Sequence, residues 1–317
     1  MKQACVNGVR QAGLMDVPNP QAKDNWVVVK VHTAPMCTEY KAFVDGKRGH
    51  DLGHEAVGEV MDVAQPCLVK PGDRVVVQPC APCGKCDLCL RGEYIHCQQQ
   101  HDFVKVTGGT SGRATMAQYV LQQDWLLSPI PDGMSYDHAG LAVCGLGPTF
   151  GAFELMGVNA FDTVLIAGLG PVGLGGVVNA RYRGARVLGV DSNAYRARLA
   201  RELGAEMVFD PGEDKCLEKI RDCTGGRGAD KAVECAGIPV AQRLCIDAVR
   251  RKGHVAFVGW SMEPCALVAA TDMIIKGLRL HGAWHYNLAD YSKVMRVISE
   301  SPVAGRLITH VFSLSDI

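Results

Sequence analysis

The sequence has no excess of either charge. Lysine plus arginine and aspartate plus glutamate are equal at 33 each, which removes any overall electrostatic drive toward nucleic acid or an anionic membrane surface. It also has no long hydrophobic run. The longest apolar stretch, VLIAGLGPVGLGGVV at 164–178, is interrupted by glycines and a proline and falls short of the roughly 20 residues that a membrane helix requires. The opening MKQACVNGVRQAG lacks the apolar core of a secretory signal, and there is neither a low-complexity tract nor a repeat of fixed period. These absences lead to the expectation of a cytoplasmic protein with no nucleic-acid or membrane partner. At 317 residues, 48% of them hydrophobic, the chain can bury a substantial core and is expected to divide into two domains.

What the sequence has in quantity is cysteine. CAPCGKCDLCLRGEYIHC at 80–97 places Cys80, Cys83, Cys86, Cys89 and Cys97 within eighteen positions. Such density is either the disulfide framework of a small secreted domain or a set of thiolates around a metal ion in a reducing compartment. A chain with its own core needs no staples, so the metal reading is favoured. Tetrahedral zinc takes four thiolates. Cys83, Cys86, Cys89 and Cys97 are spaced by three, three and eight, with Gly84 and Gly92 allowing the tight turns that point sulfurs inward, and Cys80 is the spare. Four thiolates leave no open coordination position. The site is therefore expected to be structural, with the chemistry elsewhere.

A second constellation is scattered. APMCTEYK carries Cys37, LGHEAVGEV carries His54 and Glu55, and AVCGLGPTFGAF carries Cys144. Each is weak alone, because a lone cysteine is usually a small buried hydrophobe. Together they supply two thiolates and an imidazole, the set that leaves the fourth zinc position open for water or substrate. Glu55 follows His54 directly and is a candidate occasional ligand or an anchor that tunes the metal's charge. PGDRVVVQ at 71–78 reads as a turn followed by a strand.

From Asp162 the pattern changes to an apolar strand, a glycine turn, a helix and a second apolar strand: DTVLIAGLGPVGLGGVVNARYRGARVLGVD. Gly168, Gly170 and Gly173 stand as G-x-G-x-x-G between strand and helix, so the backbone around Gly168, Gly170, Pro171, Val172 and Gly173 is the candidate dinucleotide cradle. Asp191 lies eighteen residues after Gly173, where a carboxylate can accept from both ribose hydroxyls and repel a 2′-phosphate. That favours NAD over NADP, although Arg196 and Arg198 leave some room for the phosphorylated cofactor. Strands at MVFD, KAVECAG and HVAFVGW alternate with helical stretches such as SNAYRARLARELGA and PVAQRLCIDAVRRKG, predicting a doubly wound parallel sheet.

On these motifs the chain resembles, from end to end, the zinc-dependent medium-chain alcohol dehydrogenase family, in the branch that includes polyol and threonine dehydrogenases. The resemblance rests on GHE at 53–55, GDRV at 72–75, the cysteine lobe, GLGPVG at 168–173 and ADKAVECAG at 229–237. It implies an α/β chain with a GroES-like β-barrel-type catalytic domain over 1–145 and 286–317, and a Rossmann domain over 146–285. It implies two zinc ions: a catalytic one on Cys37, His54 and Cys144, where polyol dehydrogenases carry glutamate at the last position, and a structural one on Cys83, Cys86, Cys89 and Cys97. It further implies a small alcohol or polyol as substrate, a homodimer or homotetramer, and a cleft between the domains where zinc and nicotinamide meet. Thr149 would lie against the nicotinamide or else serve as a helix-start hydroxyl, and Trp284, His285 and Tyr286 would approach the substrate or else form an interface.

Three departures bear on mechanism. The residues after Cys37 are Thr38, Glu39 and Tyr40, where the family has a small residue, a hydroxyl and an aspartate. A carboxylate thus occupies the place of the proton-relaying hydroxyl, and Glu39 becomes the candidate general base with Thr38 as the alternative. Only sixteen residues separate Cys37 from His54, a short loop for this branch. The chain stops at HVFSLSDI where relatives continue, which leaves a truncated catalytic domain and a true short form as alternatives. Two rival readings are a zinc-free reductase of activated double bonds using NADPH, and a zinc-lobe binding protein without catalysis. The joint presence of Cys37, His54 and Cys144 opposes the first. The balanced charge and complete dinucleotide motif oppose the second.

Overall fold

Runs of β-branched residues dictate strands in the N-terminal part of the chain, as the computed structural model shows; it describes residues 1–47, 49 and 51–317. Strands β1 (Lys2–Gly8) and β2 (Gln11–Asp16) form an antiparallel hairpin. Strands β3 (Trp26–Thr33), β4 (Ala56–Asp62), β5 (Arg74–Val77), β6 (Tyr119–Gln123) and β7 (Leu127–Pro129) form an antiparallel sheet in the order β6-β3-β4-β5-β7. The sequence Trp-Val-Val-Val of β3 is buried on both faces. Val27 and Val29 join Val60, Val75, Val77 and Val120 on one side, while Trp26 and Val28 meet Phe103 and Leu121 on the other. Each such aliphatic side chain contributes about 1.5–3 kcal/mol by leaving water. Short helices α1 (Glu39–Asp45), α2 (Asp87–Leu90), α3 (Phe103–Thr107) and α4 (Tyr136–Gly140) lie in the long connections.

The second part alternates strand and helix. α5 (Gly147–Met156) precedes β8 (Thr163–Ala167), α6 (Pro171–Tyr182), β9 (Arg186–Val190), α7 (Ala194–Glu202), β10 (Met207–Phe209), α8 (Cys216–Asp222), β11 (Ala229–Glu234), α9 (Pro239–Ala248), β12 (Val249–Phe257), β13 (Arg279–Gly282) and α10 (Tyr291–Glu300). The six strands are all parallel in the order β10-β9-β8-β11-β12-β13, so the winding direction reverses between β8 and β11. Their registers align the last residues, Phe209, Val190, Ala167, Glu234, Phe257 and Gly282, along one edge of the sheet. Such a carboxyl edge at a switch point is where open α/β sheets take ligands.

The chain thus forms two units, Met1–Val143 with Asn287–Met295 and Ile308–Ile317, and Cys144–Tyr286 with Arg296–Leu307. The sequence reading puts all of 286–317 with the first unit. Residues 296–307 instead group with the second, where the Tyr182 hydroxyl meets Glu300 at 2.5 Å and Arg306 meets Glu202 at 3.1 Å. The expected helix over PVAQRLCIDAVRRKG is also corrected at its end. α9 stops at Ala248, Val249 turns to an extended ψ of 141° and pairs with Ala229, and Lys252 takes a left-handed φ of 61° within β12. No single helix among the described residues is long and apolar enough to cross a membrane.

Candidate functional site

The cysteine lobe is built by backbone as much as by sulfur. Cys83, Cys86, Cys89 and Cys97 bring their sulfurs within 4.8 Å of one another. The Sγ atoms of Cys86 and Cys89 are 3.5 Å apart and those of Cys86 and Cys97 4.0 Å. Zinc–sulfur bonds of about 2.3 Å at tetrahedral angles require edges of about 3.8 Å, so the donor set fits one zinc ion. The Cys83 amide donates to the Cys97 sulfur at 3.2 Å, the Cys86 amide to the Cys83 sulfur at 3.3 Å and the Gln99 amide to the Cys97 sulfur at 3.4 Å. Amide donors at Cys89 and Gln98 lower the Cys86 thiol to about 6, whereas burial pushes Cys89 up to about 12. Only a cation lets all four ionise together.

Cys80 packs beside the four but is not among them, and burial raises its thiol. None of the fourteen cysteines is joined by a disulfide. A clasp that sequence reasoning missed holds the lobe from far along the chain. Asn287 donates to the Arg91 carbonyl and to Glu93, both at 2.8 Å, and the Leu288 amide donates to the Gly92 carbonyl at 2.9 Å. In the sequence Asn287 reads as any turn residue.

The scattered constellation does assemble: ligand atoms of Cys37, His54, Glu55 and Cys144 all lie within 4.8 Å of one another. Cys37 lies on the loop after β3, His54 and Glu55 immediately before β4. Cys144 lies in the π-helical turn Leu141–Gly145, inside which the division between the units falls and where Val143 breaks the helix with φ −86° and ψ −109°. Thr33 donates to Asp137 at 2.6 Å and so ties the end of β3 to α4, the helix that leads into that turn.

The first residue of α1 turns back into this cluster. Glu39 Oε1 meets His54 Nδ1 at 2.7 Å, and its Oε2 accepts from the Cys37 amide at 2.8 Å. Glu55, 1% exposed, is 3.6 Å from His54 Nε2. Burial disfavours the imidazolium, yet Cys37, Glu39 and Glu55 outweigh it and raise His54 to about 10. Burial likewise works against the Glu39 carboxylate, and His54 with the Cys37 amide holds its carboxyl below the ordinary value. Groups able to carry negative charge converge on one imidazole, the setting in which a divalent cation replaces the proton, and two sulfurs with one nitrogen suit zinc. Thr38 caps α1 with an exposed side chain that makes no capping bond.

The glycine turn fits a nucleotide by close approach. Gly168 has a φ of +89°, and a Cβ there would stand 2.6 Å from the Ala236 amide nitrogen. A Cβ on Gly173 would stand 1.8 Å from the Gly168 carbonyl oxygen, whereas one on Gly170 would meet nothing within 4 Å, leaving that backbone open to a ligand. Pro171 opens α6 and is exposed, with Val172 half-buried behind it. Asp191 follows β9 directly, with both oxygens engaged: Oδ2 accepts from the Leu169 amide at 2.6 Å, Oδ1 from the Asn193 amide at 2.8 Å. Arg196 stands 3.9 Å away. Leu169 belongs to the turn, so Asp191 shapes the cradle as well as facing it.

Thr149 fits the helical one of its two sequence readings. It is fully buried inside α5, where its hydroxyl donates to the Leu146 carbonyl at 3.2 Å and accepts from Asn179 of α6 at 2.9 Å. Its environment is helix packing, with no surface open to a nucleotide. The same contact is closest at Gly175, where a Cβ would stand 1.8 Å from the Gly145 carbonyl oxygen. Helix α6 therefore runs from the glycine turn directly onto the residue after Cys144.

Glu234, at the end of β11, was also missed because the Glu-Cys-Ala-Gly run reads as a strand end. It is fully buried, its Oε1 accepts from the amides of Ala236 and Gly237 at 2.7 Å each, its Oε2 has no hydrogen-bond partner, and burial raises its carboxyl above the ordinary value.

Comparison with known proteins is consistent along the chain. Residues 23–132 match the alcohol dehydrogenase GroES-like domain, and residues 171–300 match the zinc-binding dehydrogenase domain. An L-threonine 3-dehydrogenase of Symbiobacterium thermophilum is 31% identical over 96% of this chain and 89% of that protein. A sorbitol dehydrogenase of Bacillus subtilis is 30% identical over 82% of this chain and 75% of that protein. Among solved structures, the alcohol dehydrogenase TADH from Thermus sp. ATN1 superposes with a TM-score of 0.90 at 24% identity, covering 100% of this chain and 94% of that one, which speaks for the fold.

Proposed function

Because the chain belongs to the zinc-dependent medium-chain alcohol dehydrogenase family, we propose that it oxidises a secondary hydroxyl of a polyol-type substrate with NAD as hydride acceptor. The observation that carries this reading is the convergence of Cys37, His54, Glu55 and Cys144 in a chain that also holds an open glycine cradle. Cys37, His54 and Cys144 hold the catalytic zinc, which when bound supplies a Lewis acid for a hydroxyl oxygen. Cys83, Cys86, Cys89 and Cys97 hold the structural zinc.

Glu39 orients His54 by engaging its Nδ1, which leaves Nε2 for the cluster, in the manner of carboxylate–histidine pairs at metal centres. Both Glu39 oxygens are occupied, so the exposed Thr38 hydroxyl is the better placed group to pass the substrate's proton outward. Glu55 lies on the other side of the imidazole as an anchor or occasional ligand. The backbone from Gly168 through Pro171, Val172 and Gly173 receives the pyrophosphate at the start of α6, and Asp191 selects an unphosphorylated ribose. The reading extends to a cytoplasmic homodimer or homotetramer. Thiols at metal-ligand spacing support a reducing compartment, and sedimentation of the pure protein tests assembly.

The decisive experiment is reduction of NAD⁺ followed at 340 nm with zinc-loaded protein across sorbitol, D-arabitol, inositol, L-threonine and 2-butanol, before and after chelation. Turnover of at least one polyol that is abolished by chelation and restored by zinc supports the reading. Protein carrying two zinc ions that reduces NAD⁺ with none of these compounds overturns it.

A further inference from the structure

Two half-buried histidines meet on adjacent strands of the parallel sheet. Nδ1 of His254 in β12 lies 3.1 Å from Nε2 of His281 in β13, with ring centroids 5.2 Å apart and planes within 12° of parallel. At that separation one nitrogen carries a hydrogen and the other accepts it. The contact lies outside both cysteine clusters and the glycine turn.

Register explains the meeting. His254 pairs with Arg279, and His281 stands two residues further along β13, so both side chains project from one face of the sheet. The opposite face takes Val255, Phe257 and Leu280 into the core with Cys245 and Ile246 of α9. The histidines therefore lie on the side of α5, which packs on β12 and β13.

Their surroundings are cationic. Lys231 of β11 and Arg279 of β13 are the register partners of His254, and Arg250 precedes it on β12. The neighbouring carboxylates are already committed: Asp162 to Lys231 and Asp230 to Arg250, both at 2.6 Å, and Glu154, the one ionisable side chain of α5, to Arg183 at 2.8 Å. Burial, then His281 and the three cations, lower His254 from its ordinary value, and burial with Arg279 lowers His281. Both rings are neutral at neutral pH.

The shared hydrogen survives one added proton, because that proton can sit on a ring nitrogen outside the contact. A second places N–H groups on both sides of the 3.1 Å gap, and the contact cannot persist. Separated rings in water each take a proton near the ordinary value of about 6.5. Opening is thus linked to the uptake of one to two protons.

The strand at stake is a weak one. β13 is four residues long and lies at the end of the sheet, with β12 as its ladder partner among the described strands. It leads into His285 and Tyr286, which press on α5: a Cβ on Gly147 would stand 2.9 Å from the Tyr286 ring, and one on Gly151 2.3 Å from the His285 carbonyl oxygen. Gly147 comes three residues after Cys144.

We propose that the His254–His281 contact is an acid-sensitive latch that holds β13 to β12, and that its opening frees the chain through Tyr286 and slackens the start of α5 beside Cys144. The latch stands without the dehydrogenase reading. With that reading added, acid withdraws support from a stretch that carries a zinc ligand, and the latch is a brake on the enzyme.

The test is amide hydrogen exchange of the full-length, zinc-loaded protein, followed by mass spectrometry from about pH 8 to about pH 5.5 and corrected for intrinsic exchange rates, across the ordinary imidazole range. Over residues 279–286 the opening constant should rise about 10- to 100-fold per pH unit below about 6.5. A smaller rise is expected over 145–151 and none over β8 and β9. His281→Phe keeps a ring against His254 without a proton to gain and should flatten the dependence by about tenfold per pH unit. The double variant His254→Asn, His281→Phe should abolish it. In the parent labelled with ¹⁵N-histidine, both imidazoles should be neutral at about pH 7.5, a unit above the ordinary value. An imidazolium at either position there overturns the latch without any variant. So does protection over 279–286 that ignores pH, a double variant with the parent's dependence, or an equal rise across the whole sheet. A response confined to 279–286, with 145–151 unmoved, overturns the link to α5. A latch that opens as described in a protein that oxidises no alcohol defeats the dehydrogenase reading alone.

Discussion

The two cysteine-containing clusters are made from the same chemistry by opposite routes. The lobe draws four sulfurs from fifteen consecutive residues and orients them with backbone amides. The other cluster draws its donors from positions 37, 54, 55 and 144 and orients its imidazole with a side chain, Glu39. A site encoded locally can be complete only by closing around its ion. A site assembled from distant segments depends on the fold existing first, and its geometry is adjustable by substitutions that leave the fold alone.

The sharpest way to break this contrast is to remove one ligand from each. Cys97→Ser should forfeit the lobe, because structural zinc contributes apparent binding of about 10–16 kcal/mol in small zinc domains, comparable with the whole stability of a typical fold. Insoluble protein, or a strongly lowered melting temperature with zinc per chain reduced, is the expected outcome. His54→Ala should keep a cooperative melt and NAD binding while alcohol oxidation drops to background. Equal thermal damage from both changes would show that the clusters do not differ in kind.

Glu39→Gln sharpens the contrast within the second cluster. An amide cannot replace the charge on His54, so zinc affinity or turnover should fall roughly 10–100-fold with KM for NAD unmoved. Thr38→Val should lower kcat while zinc content stays at the parent value. A Glu39→Gln enzyme that holds zinc with parental affinity and turns over normally would remove Glu39 from the site.

How much of this was legible in the sequence follows the same division. The lobe, the glycine turn and the strand–helix alternation are contiguous patterns, and all appear in the structure where the spacing puts them. Cys37, His54 and Cys144 could be grouped by donor chemistry and by resemblance, but no local spacing links them. Side-chain direction was not legible. The position of Glu39 two residues after Cys37 establishes nearness to the metal centre, but whether it faces substrate or His54 depends on the first turn of α1. Glu234 was invisible because its partners are backbone groups, which every residue possesses, and Asn287 because its partners, the Arg91 carbonyl and the Glu93 carboxylate, lie far from it along the chain.

A smaller effect is expected at Asp191. Its carboxylate, which the proposed reading sets against the ribose, also holds the Leu169 amide, so Asp191→Gly should weaken NAD and narrow the NAD to NADP ratio of kcat/KM by about tenfold, roughly 1.4 kcal/mol. A ratio of one in the parent would show that the ribose contact is absent.

The smallest concerns Glu234, the second unit's own buried acid. Its carboxyl stands above the ordinary value of 4.5 because it is buried, so the folded chain binds that proton more tightly than the unfolded chain. Stability is then fully present below the ordinary carboxylate value and declines as pH rises through the folded value. Glu234→Gln should flatten that decline in denaturant midpoints measured across the acid range, and an unchanged slope would mean that the carboxyl titrates normally.

The missing side chain of Gly175 has a thermodynamic consequence. Helix α6 begins at the nucleotide cradle and, two residues past Gly173, lies with no intervening atom on the carbonyl of Gly145, the neighbour of Cys144. On the proposed assignment of the two sites, ion and coenzyme would be held by one short stretch of backbone, and reciprocity would govern any coupling between them. Whatever factor zinc occupancy adds to the affinity for NAD, the bound coenzyme adds to the retention of zinc.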